Sequence, residues 1–359
     1  MRIANIEIKN FRCFSSLNLS FEKPIIVIEG LNGTGKTSLL EAIHYLCYLR
    51  SFRTHVPQEL MQFGQDTFFI KARLHNDTVM NESYDLQVGL SGKRRLVKIN
   101  NKAVASYKEL LNYYRIVTIT EDDLSLIKDG PEMRRIFIDQ CITFFQPDML
   151  PLFKKCKDIV ENRNTLLKQN FSHESYALWT EQLWQISDAL QKSRIEALDM
   201  LENQVLDLIN TYFNNEFVIS LVYKPKKELR NSLAEFLATE TTLVQDEQRF
   251  GRNLFGAHQD DFTIIFKDSA SRKFASRGQQ KLITLLLKIA QIRCLAAQNS
   301  PAILLLDDFM TDLDTSKAGI VIQMLADLNT QLIFTVPTPH GFLHSELLQR
   351  GGQHIILTN

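Results

Sequence analysis

The fold of this chain is decided by the stretch Gly30-Leu31-Asn32-Gly33-Thr34-Gly35-Lys36-Thr37. It matches G-x-x-x-x-G-K-[ST], the pattern of a phosphate-binding loop. The apolar run 25–28 precedes it and residues 37–48 predict a helix, so the loop joins a strand to a helix, as phosphate binding requires. We expect the glycines to let backbone N–H groups surround the phosphates of ATP, Lys36 to reach the β- and γ-phosphates, and Thr37 to ligate Mg²⁺.

A second signal is the apolar run 303–306, which ends in the carboxylates Asp307 and Asp308. A buried strand that ends in two carboxylates has the form of a Walker B element. Asp307 would hold Mg²⁺ through water, and Asp308 would polarise the water that attacks the γ-phosphate. The pair is a weak signal alone, but together with the loop at residues 30–37 it predicts hydrolysis of ATP.

A third signal is the segment Ser276-Arg277-Gly278-Gln279, which stands directly before an apolar-periodic helix. The spacing S-x-x-Q fits a capping box, and a good helix cap is the simpler interpretation. The functional interpretation rests on position, because Ser276 lies 31 residues before Asp307, as the signature motif of ATP-binding-cassette ATPases does. In that architecture the segment binds the γ-phosphate held by the other subunit, so Ser276 would act in trans beside Lys36 and Asp308. Residues 311–314 would then form a D-loop at the subunit interface.

The chain organisation predicts an α/β fold with an inserted α-helical domain. The three motifs, together with a resemblance to the SMC ATPases, imply that the α/β part is an ABC/SMC-type P-loop ATPase head. Residues 1–145 and 251–359 would form the discontinuous head, and residues 146–250 the helical insertion. Few residues between 148 and 213 break a helix, and a helix over residues 172–213 would be about 60 Å long. We interpret the insertion as an antiparallel helical arm; the alternative is a helical layer packed on the first domain.

Composition narrows the class of protein further. The 359 residues suggest roughly two domains, and 41 basic against 41 acidic residues exclude a globally basic protein that coats nucleic acid. The five cysteines form no C-x-x-C pair, so neither a zinc ribbon nor a disulfide framework is supported. No apolar run approaches the length of a membrane span, and the N-terminus carries a charge where a secretion signal is apolar. We therefore expect a cytoplasmic location and no membrane partner.

Four further segments resemble the RecF family, bacterial DNA replication and repair proteins related to the SMC ATPases. They carry its N-F-R opening, its S-F-R-T segment, its G-x-P-x-x-R-R-x-F-x-D stretch with the first spacing altered, and its form of the signature, at residues 6–14, 51–54, 124–139 and 275–281. The resemblance extends over nearly the whole chain. It implies that Arg12, in the N-F-R opening, approaches the nucleotide.

The resemblance also implies an activity and partners. These are weak ATP hydrolysis, ATP-dependent homodimerisation, binding of gapped DNA or of single-strand/double-strand junctions, and cooperation with RecR- and RecO-type mediators in recombination and the SOS response. Independent support for DNA binding is modest. The basic cluster Lys93, Arg94 and Arg95 is one candidate contact, although such clusters are more often solvated faces.

Several positions depart from the family pattern. Residues 121–124 lack the proline of the family's P-E-D-L, and residues 256–261 lack one basic residue of its G-P-H-R-D-D. Thr335 stands where the switch histidine of such ATPases follows the last strand. These departures point to slow hydrolysis or to altered DNA or partner contacts.

Two other functions remain open at the level of sequence. The nucleotide-binding subunit of a membrane transporter shares the loop and the signature, but the long helical insertion and the N-F-R opening argue against it. A non-catalytic clamp that binds ATP and scarcely hydrolyses it has the same motifs, and only a measured hydrolysis rate separates it from an ATPase.

Overall fold

The computed structural model describes residues 1–76, 82–104, 106–169, 173–229, 232–300, 302–309, 315–337 and 342–358. The described strands, in chain order, are β1 (Arg2–Phe11), β2 (Phe14–Ser20), β3 (Ile25–Gly30), β4 (Thr67–His75), β5 (Ser83–Ser91), β6 (Arg94–Ile99), β7 (Lys102–Ala103), β8 (Arg115–Ile119), β9 (Ile219–Lys224), β10 (Asp261–Phe266), β11 (Ser269–Ala270), β12 (Ala302–Asp307), β13 (Leu332–Pro337) and β14 (Gln353–Ile356).

The described helices are α1 (Lys36–Tyr48), α2 (Tyr107–Leu110), α3 (Ser125–Lys128), α4 (Pro131–Phe145), α5 (Leu150–Leu167), α6 (His173–Phe213), α7 (Leu233–Thr239), α8 (Leu243–Phe250), α9 (Ser271–Phe274), α10 (Arg277–Ala297), α11 (Thr315–Ala326) and α12 (Phe342–Gln349). None of these described helices combines the length and the apolar character needed to cross a membrane.

The chain forms two compact units, of which the first comprises residues 1–124 and 285–359. Its centre is a parallel sheet with the strand order β14-β3-β13-β12-β8. Strands β3 and β12 are apolar and almost entirely buried, as expected for parallel strands covered on both faces. In this register Asp307 at the end of β12 pairs with Thr335 of β13, and Gly30 at the end of β3 pairs with Pro337 of β13.

The first unit also contains an antiparallel sheet with the order β2-β1-β4-β5-β6-β7. Its strands alternate between buried and exposed residues, because one face packs on the core and the other meets solvent. Ile3, Ile6 and Ile8 of β1 are fully buried on the inner face. Residues 2–20 thus form two antiparallel strands of this sheet.

The second unit comprises residues 125–284, so its boundaries differ from those inferred from the sequence. Helix α4 belongs to it because Arg134 of α4 bonds Asp261 of β10 (2.7 and 3.0 Å), and Arg194 of α6 bonds Asp139 of α4 (2.8 and 2.9 Å). Two-bond pairs of this kind fix one helix against its neighbours.

The segment 146–250 is not helical throughout. Strand β9 lies in it and pairs antiparallel with β10, which ties residues 251–284 to the same unit, and β11 completes a three-stranded sheet. The long helix is confirmed, since α6 spans 41 residues. Helix α5 packs along α6, and Cys156 and Ile159 of α5 share a buried apolar cluster with Leu183 and Leu190 of α6.

A completely buried ion pair lies inside the second unit. Arg163 Nη2 of α5 donates to Glu247 Oε2 of α8 at 2.9 Å, and neither side chain is exposed. The guanidinium lies over the rings of Tyr176 and Phe255, at 4.7 and 4.9 Å from their centres. Glu247 Oε1 also accepts the backbone N–H of Leu254 at 2.7 Å. The pair therefore joins α5 and α8 to the chain that precedes β10.

Arg163→Met should destabilise the protein by about 3 kcal/mol, because it leaves the Glu247 carboxylate buried without its cation. Urea denaturation monitored by circular dichroism measures the loss. Lys192→Met is the matched control, since its exposed pair with Asp188 on α6 should contribute less than about 1 kcal/mol. Equal losses in the two variants would contradict the structural role of the buried pair.

Candidate functional site

The loop between β3 and α1 has the shape that binds phosphate. Gly35 has φ +95°, and a Cβ there would lie 2.6 Å from Cζ of Phe14 and 2.7 Å from Sγ of Cys13, so only glycine fits. The Lys36 ammonium donates to the carbonyl oxygens of Gly30 and Leu31, at 2.9 and 3.3 Å. These contacts hold the cation at the centre of the loop, where it can exchange a carbonyl for a phosphate oxygen.

The end of β12 supplies the carboxylates that the sequence predicted. Asp307 Oδ1 accepts hydrogen bonds from the hydroxyls of Thr37 and Thr335, at 3.1 and 2.8 Å. The backbone N–H of Asp308 donates to Thr335 Oγ1 at 3.0 Å. Burial raises the pKa of Asp307, and the hydrogen bonds from Thr335 and Thr37 act in the opposite direction. Thr335 thus contacts both carboxylate residues from the position that lacks the switch histidine.

A cavity of about 270 Å³ lies at the loop and reaches Asp308, whereas Asp307 and Thr335 do not line it. It is lined by residues of the loop, of α1 and of three other segments: Cys13, Asn32, Gly33, Gly35, Lys36, Thr37, Ser38, Arg53 and Asp308. Backbone amides at a helix N-terminus, a lysine and a carboxylate in one cavity can bind a polyphosphate and polarise a water beside it.

Thr37 and Asp307 fit a divalent cation chemically. Their oxygen atoms lie 3.1 Å apart at the rim of the phosphate loop, and a hydroxyl with a carboxylate is a donor set that Mg²⁺ accepts beside phosphate oxygens. Cavity and donors therefore suit a nucleotide bound with Mg²⁺.

Arg12 reaches this region through a buried carboxylate. Its guanidinium forms two hydrogen bonds to Glu41 of α1, at 2.8 and 2.7 Å, and Glu41 is fully buried. Ser51 donates to the same carboxylate, and Nη1 of Arg53 lies 3.6 Å from it. Arg12 itself does not line the cavity, but Arg53 does.

Sequence reasoning missed Arg53 as a site residue, although it lies in the quoted S-F-R-T segment. Glu41 gives no local signal, because nothing in the sequence of α1 indicates that its carboxylate is buried or which residues bond it. Only the folded contact between α1, the N-F-R opening and residues 51–54 shows that Arg53 enters the phosphate cavity.

The signature candidate lies in the second unit at the start of α10. Ser276 N donates to Gln279 Oε1 at 2.8 Å, and Gln279 N donates to Ser276 Oγ at 3.4 Å, so the predicted capping box is confirmed. Ser276 Oγ accepts in this cap, which leaves its own proton for an anion. Gly278 has open space where a Cβ would stand. The predicted D-loop, residues 311–314, lies outside the described residues.

The basic cluster proposed for DNA lies at the turn between β5 and β6. Lys93, Arg94 and Arg95 are all exposed there. The Arg95 guanidinium lies 5.7 Å from the centre of the Tyr45 ring of α1, so this residue also contacts the body of the first unit. The turn is thus separated in sequence from the phosphate loop but rests on the helix that follows it.

A sequence model described as "RecF/RecN/SMC N terminal domain" matches residues 2–346. The chain is 29% identical over 356 residues to the DNA replication and repair protein RecF of Acholeplasma laidlawii, covering 97% of this chain and 98% of that protein. It is 29% identical over 365 residues to RecF of Bacillus cytotoxicus, covering 99% and 97% of the two chains.

Solved structures agree with this match. A structure of the recombination mediator protein RecF-ATPrS in the RecFOR pathway superposes with a TM-score of 0.83 at 25% identity, over 94% of this chain and 93% of that one. An Smc head bound to the C-winged helix domain of ScpA gives a TM-score of 0.57 at 14% identity, over 96% and 91% of the two chains, which shows a shared fold. The α/β head predicted from the motifs is confirmed by these matches.

Thr335→Val should lower kcat for ATP hydrolysis about tenfold with little change in ATP affinity. The valine keeps the shape of the side chain but removes the hydroxyl that bonds Asp307 and Asp308, so the carboxylates lose their positions. Thr335→Ser keeps the hydroxyl and should retain most of the rate. A colorimetric phosphate assay with nucleotide titrations measures both quantities; equal rates for the valine and serine variants would exclude this role.

Proposed function

The chain belongs to the RecF/RecN/SMC N-terminal domain family, and on that premise we propose that it is an ATP-dependent DNA-binding protein of replication and repair. One observation carries the proposal. Lys36, Thr37 and Asp308 line one cavity, and Asp307 bonds Thr37 at its edge. These residues come from opposite ends of the chain, and together they suit binding and hydrolysis of ATP.

Residues in and around the cavity have separate roles in hydrolysis. The loop amides and Lys36 bind the β- and γ-phosphates, and Arg12 keeps the region ordered through Glu41. Thr37 and Asp307 would hold Mg²⁺, and a cation bound there would neutralise charge on the phosphates. Asp308 orients a water toward the γ-phosphate and accepts a proton from that water as it attacks. Thr335 fixes the backbone of Asp308 from the neighbouring strand.

A second copy of the chain completes the site in this proposal. Ser276, Arg277, Gly278 and Gln279 of one protomer contact the γ-phosphate bound by the other, as the helix N-terminus of α10 favours an anion. ATP then joins two protomers, and hydrolysis separates them. The reciprocal capping box supports this arrangement because it holds the Ser276 hydroxyl at the helix start.

DNA and mediator proteins are the proposed partners of the dimer. Relatives are named DNA replication and repair protein RecF, and the structural neighbour belongs to the RecFOR pathway. We infer binding at gapped DNA or single-strand/double-strand junctions, cooperation with RecR- and RecO-type mediators to help load the recombinase, and a cytoplasmic location. The family match disfavours a transporter subunit. A non-catalytic clamp stays the second candidate because Thr335 replaces the switch histidine.

Asp308→Asn should lower ATP hydrolysis by about 10²-fold while ATP binding and ATP-dependent dimers persist, because only the proton acceptor is lost. Lys36→Met should lose ATP binding, and Ser276→Arg should keep ATP binding but remain monomeric. Steady-state hydrolysis with and without gapped DNA, and light scattering with ATP, ADP or no nucleotide, measure these effects. If the rates of the wild type and Asp308→Asn match, Asp308 is not the catalytic carboxylate and the clamp is favoured.

Reversing the charge of Lys93, Arg94 and Arg95 to Glu should weaken duplex binding at least about tenfold and flatten its salt dependence, since phosphate contacts release counterions. The same reversal at Lys154, Lys155 and Lys157, which are exposed on α5, is the control of equal charge. Fluorescence anisotropy at salt concentrations from about 50 to 200 mM, over which affinities of this kind fall steeply, measures the duplex affinity and its salt dependence for each variant. Unchanged affinity across the titration would remove the β5–β6 turn from the DNA interface.

A further inference from the structure

Leu31 is an exposed apolar residue inside the phosphate loop. Its side chain is 68% exposed, although the residues around the loop are polar or buried. Its carbonyl oxygen lies 3.3 Å from the Lys36 ammonium, so its backbone stands directly beside the seat of the γ-phosphate. A large apolar side chain in water at such a position has no role in binding phosphate within one chain.

Phe274 is an exposed apolar residue beside the other part of the proposed site, the segment at Ser276. It ends α9, is 71% exposed and stands two residues before Ser276. Two residues of extended chain span at most about 7 Å, so Phe274 lies within that distance of the proposed γ-phosphate contact. Aromatic residues are enriched in the buried centres of protein interfaces, and this ring lies next to the segment proposed to meet a second protomer.

We propose that, in the ATP-bound dimer, Phe274 of each protomer packs on Leu31 of the other. The inference rests on the proposed function, in which Ser276 contacts the nucleotide held by the second copy. Leu31 lies beside the lysine of the phosphate loop, and Phe274 lies within about 7 Å of Ser276, so placing Ser276 on the bound phosphate brings both exposed side chains to the same part of the interface. Two-fold symmetry then makes the contact twice per dimer.

The charge around Phe274 favours a second copy of the chain with bound ATP as its partner. Residues 271–281 contain the exposed cations Arg272, Lys273 and Arg277, one buried lysine and no acidic residue. A surface that carries a bound triphosphate is strongly negative, so it complements this segment, whereas an empty phosphate loop does not. The contact is therefore conditional on ATP: the nucleotide supplies the charge, and the Leu31–Phe274 pair supplies buried apolar area.

Phe274→Ala should weaken the ATP-dependent dimer at least about tenfold, because two aromatic contacts are lost per dimer. Phe274→Leu should retain most of the affinity. Nucleotide affinity of the Phe274→Ala monomer should match the wild type, since the ring belongs to the other protomer's site. Phe63→Ala is the control, because Phe63 is fully exposed in the first unit and outside the cavity. Analytical ultracentrifugation with saturating ATP gives the dissociation constants.

Leu31→Ala and the double variant complete a thermodynamic cycle. If the two side chains touch, the double variant should lose about as much dimer affinity as the more strongly affected single variant. Strict additivity of the two free-energy losses would overturn the contact. ATP affinity of the Leu31→Ala monomer is measured first, so that dimerisation is compared at equal occupancy. A photo-reactive benzoylphenylalanine at position 274 should cross-link to residues 28–35 of the second protomer only with ATP, as mass spectrometry would identify.

The outcomes separate this inference from the proposed function. A wild type that dimerises with ATP, together with an unaltered Phe274→Ala dimer or a cross-link elsewhere, overturns the contact and leaves the ATP-joined dimer intact. A wild type that stays monomeric at saturating ATP overturns both.

Discussion

The register of three parallel strands is the constraint on which the phosphate site depends. β13 pairs with β12 on one side and β3 on the other, which sets Thr335 beside Asp307 and Pro337 beside Gly30. The carboxyl ends of parallel strands meet at one edge of a sheet, where ligands of open α/β folds bind. A slip of one residue in β13 would point the Thr335 hydroxyl to the opposite face, away from both aspartates. The positions of the site residues therefore depend on backbone pairing between the strands as well as on the loop.

The buried carboxylate of Glu41 connects the phosphate loop helix to two other segments of the first unit. Glu41 is buried one helical turn after Thr37 and receives hydrogen bonds from Arg12 and Ser51. A buried carboxylate needs such partners, and here they come from the β1–β2 turn and from the segment that follows α1. Arg53, which also faces Glu41, is thereby held at the wall of the cavity. Two segments about 40 residues apart thus act on one site.

Sequence predicts the parts of this arrangement that have a local signal. The strand, glycine loop and helix at residues 25–48, the strand that ends in Asp307, and the cap at Ser276 each follow from a few neighbouring residues. Contacts between remote segments carry no such signal, which is why Glu41 and the placement of Arg53 were not predicted. Strand β9 was missed for a related reason: its pairing partner β10 lies about 40 residues further along the chain, beyond a helical stretch.

Neutral composition also takes on a structural meaning. Many charges cancel inside the two units, where Arg163 meets Glu247, Arg134 meets Asp261 and Lys288 meets Asp123. Paired charges of this kind add little to the field outside the protein, so the count of 41 basic and 41 acidic residues does not describe the surface. What a polyanion meets is set by local groups instead, such as the cations of residues 272–277, which have no acidic neighbour in sequence. Attraction at such a place is short-ranged, because salt screens it within about 10 Å. A negative partner must therefore be brought close by other contacts before these cations act, and this favours binding that depends on nucleotide over binding by bulk charge.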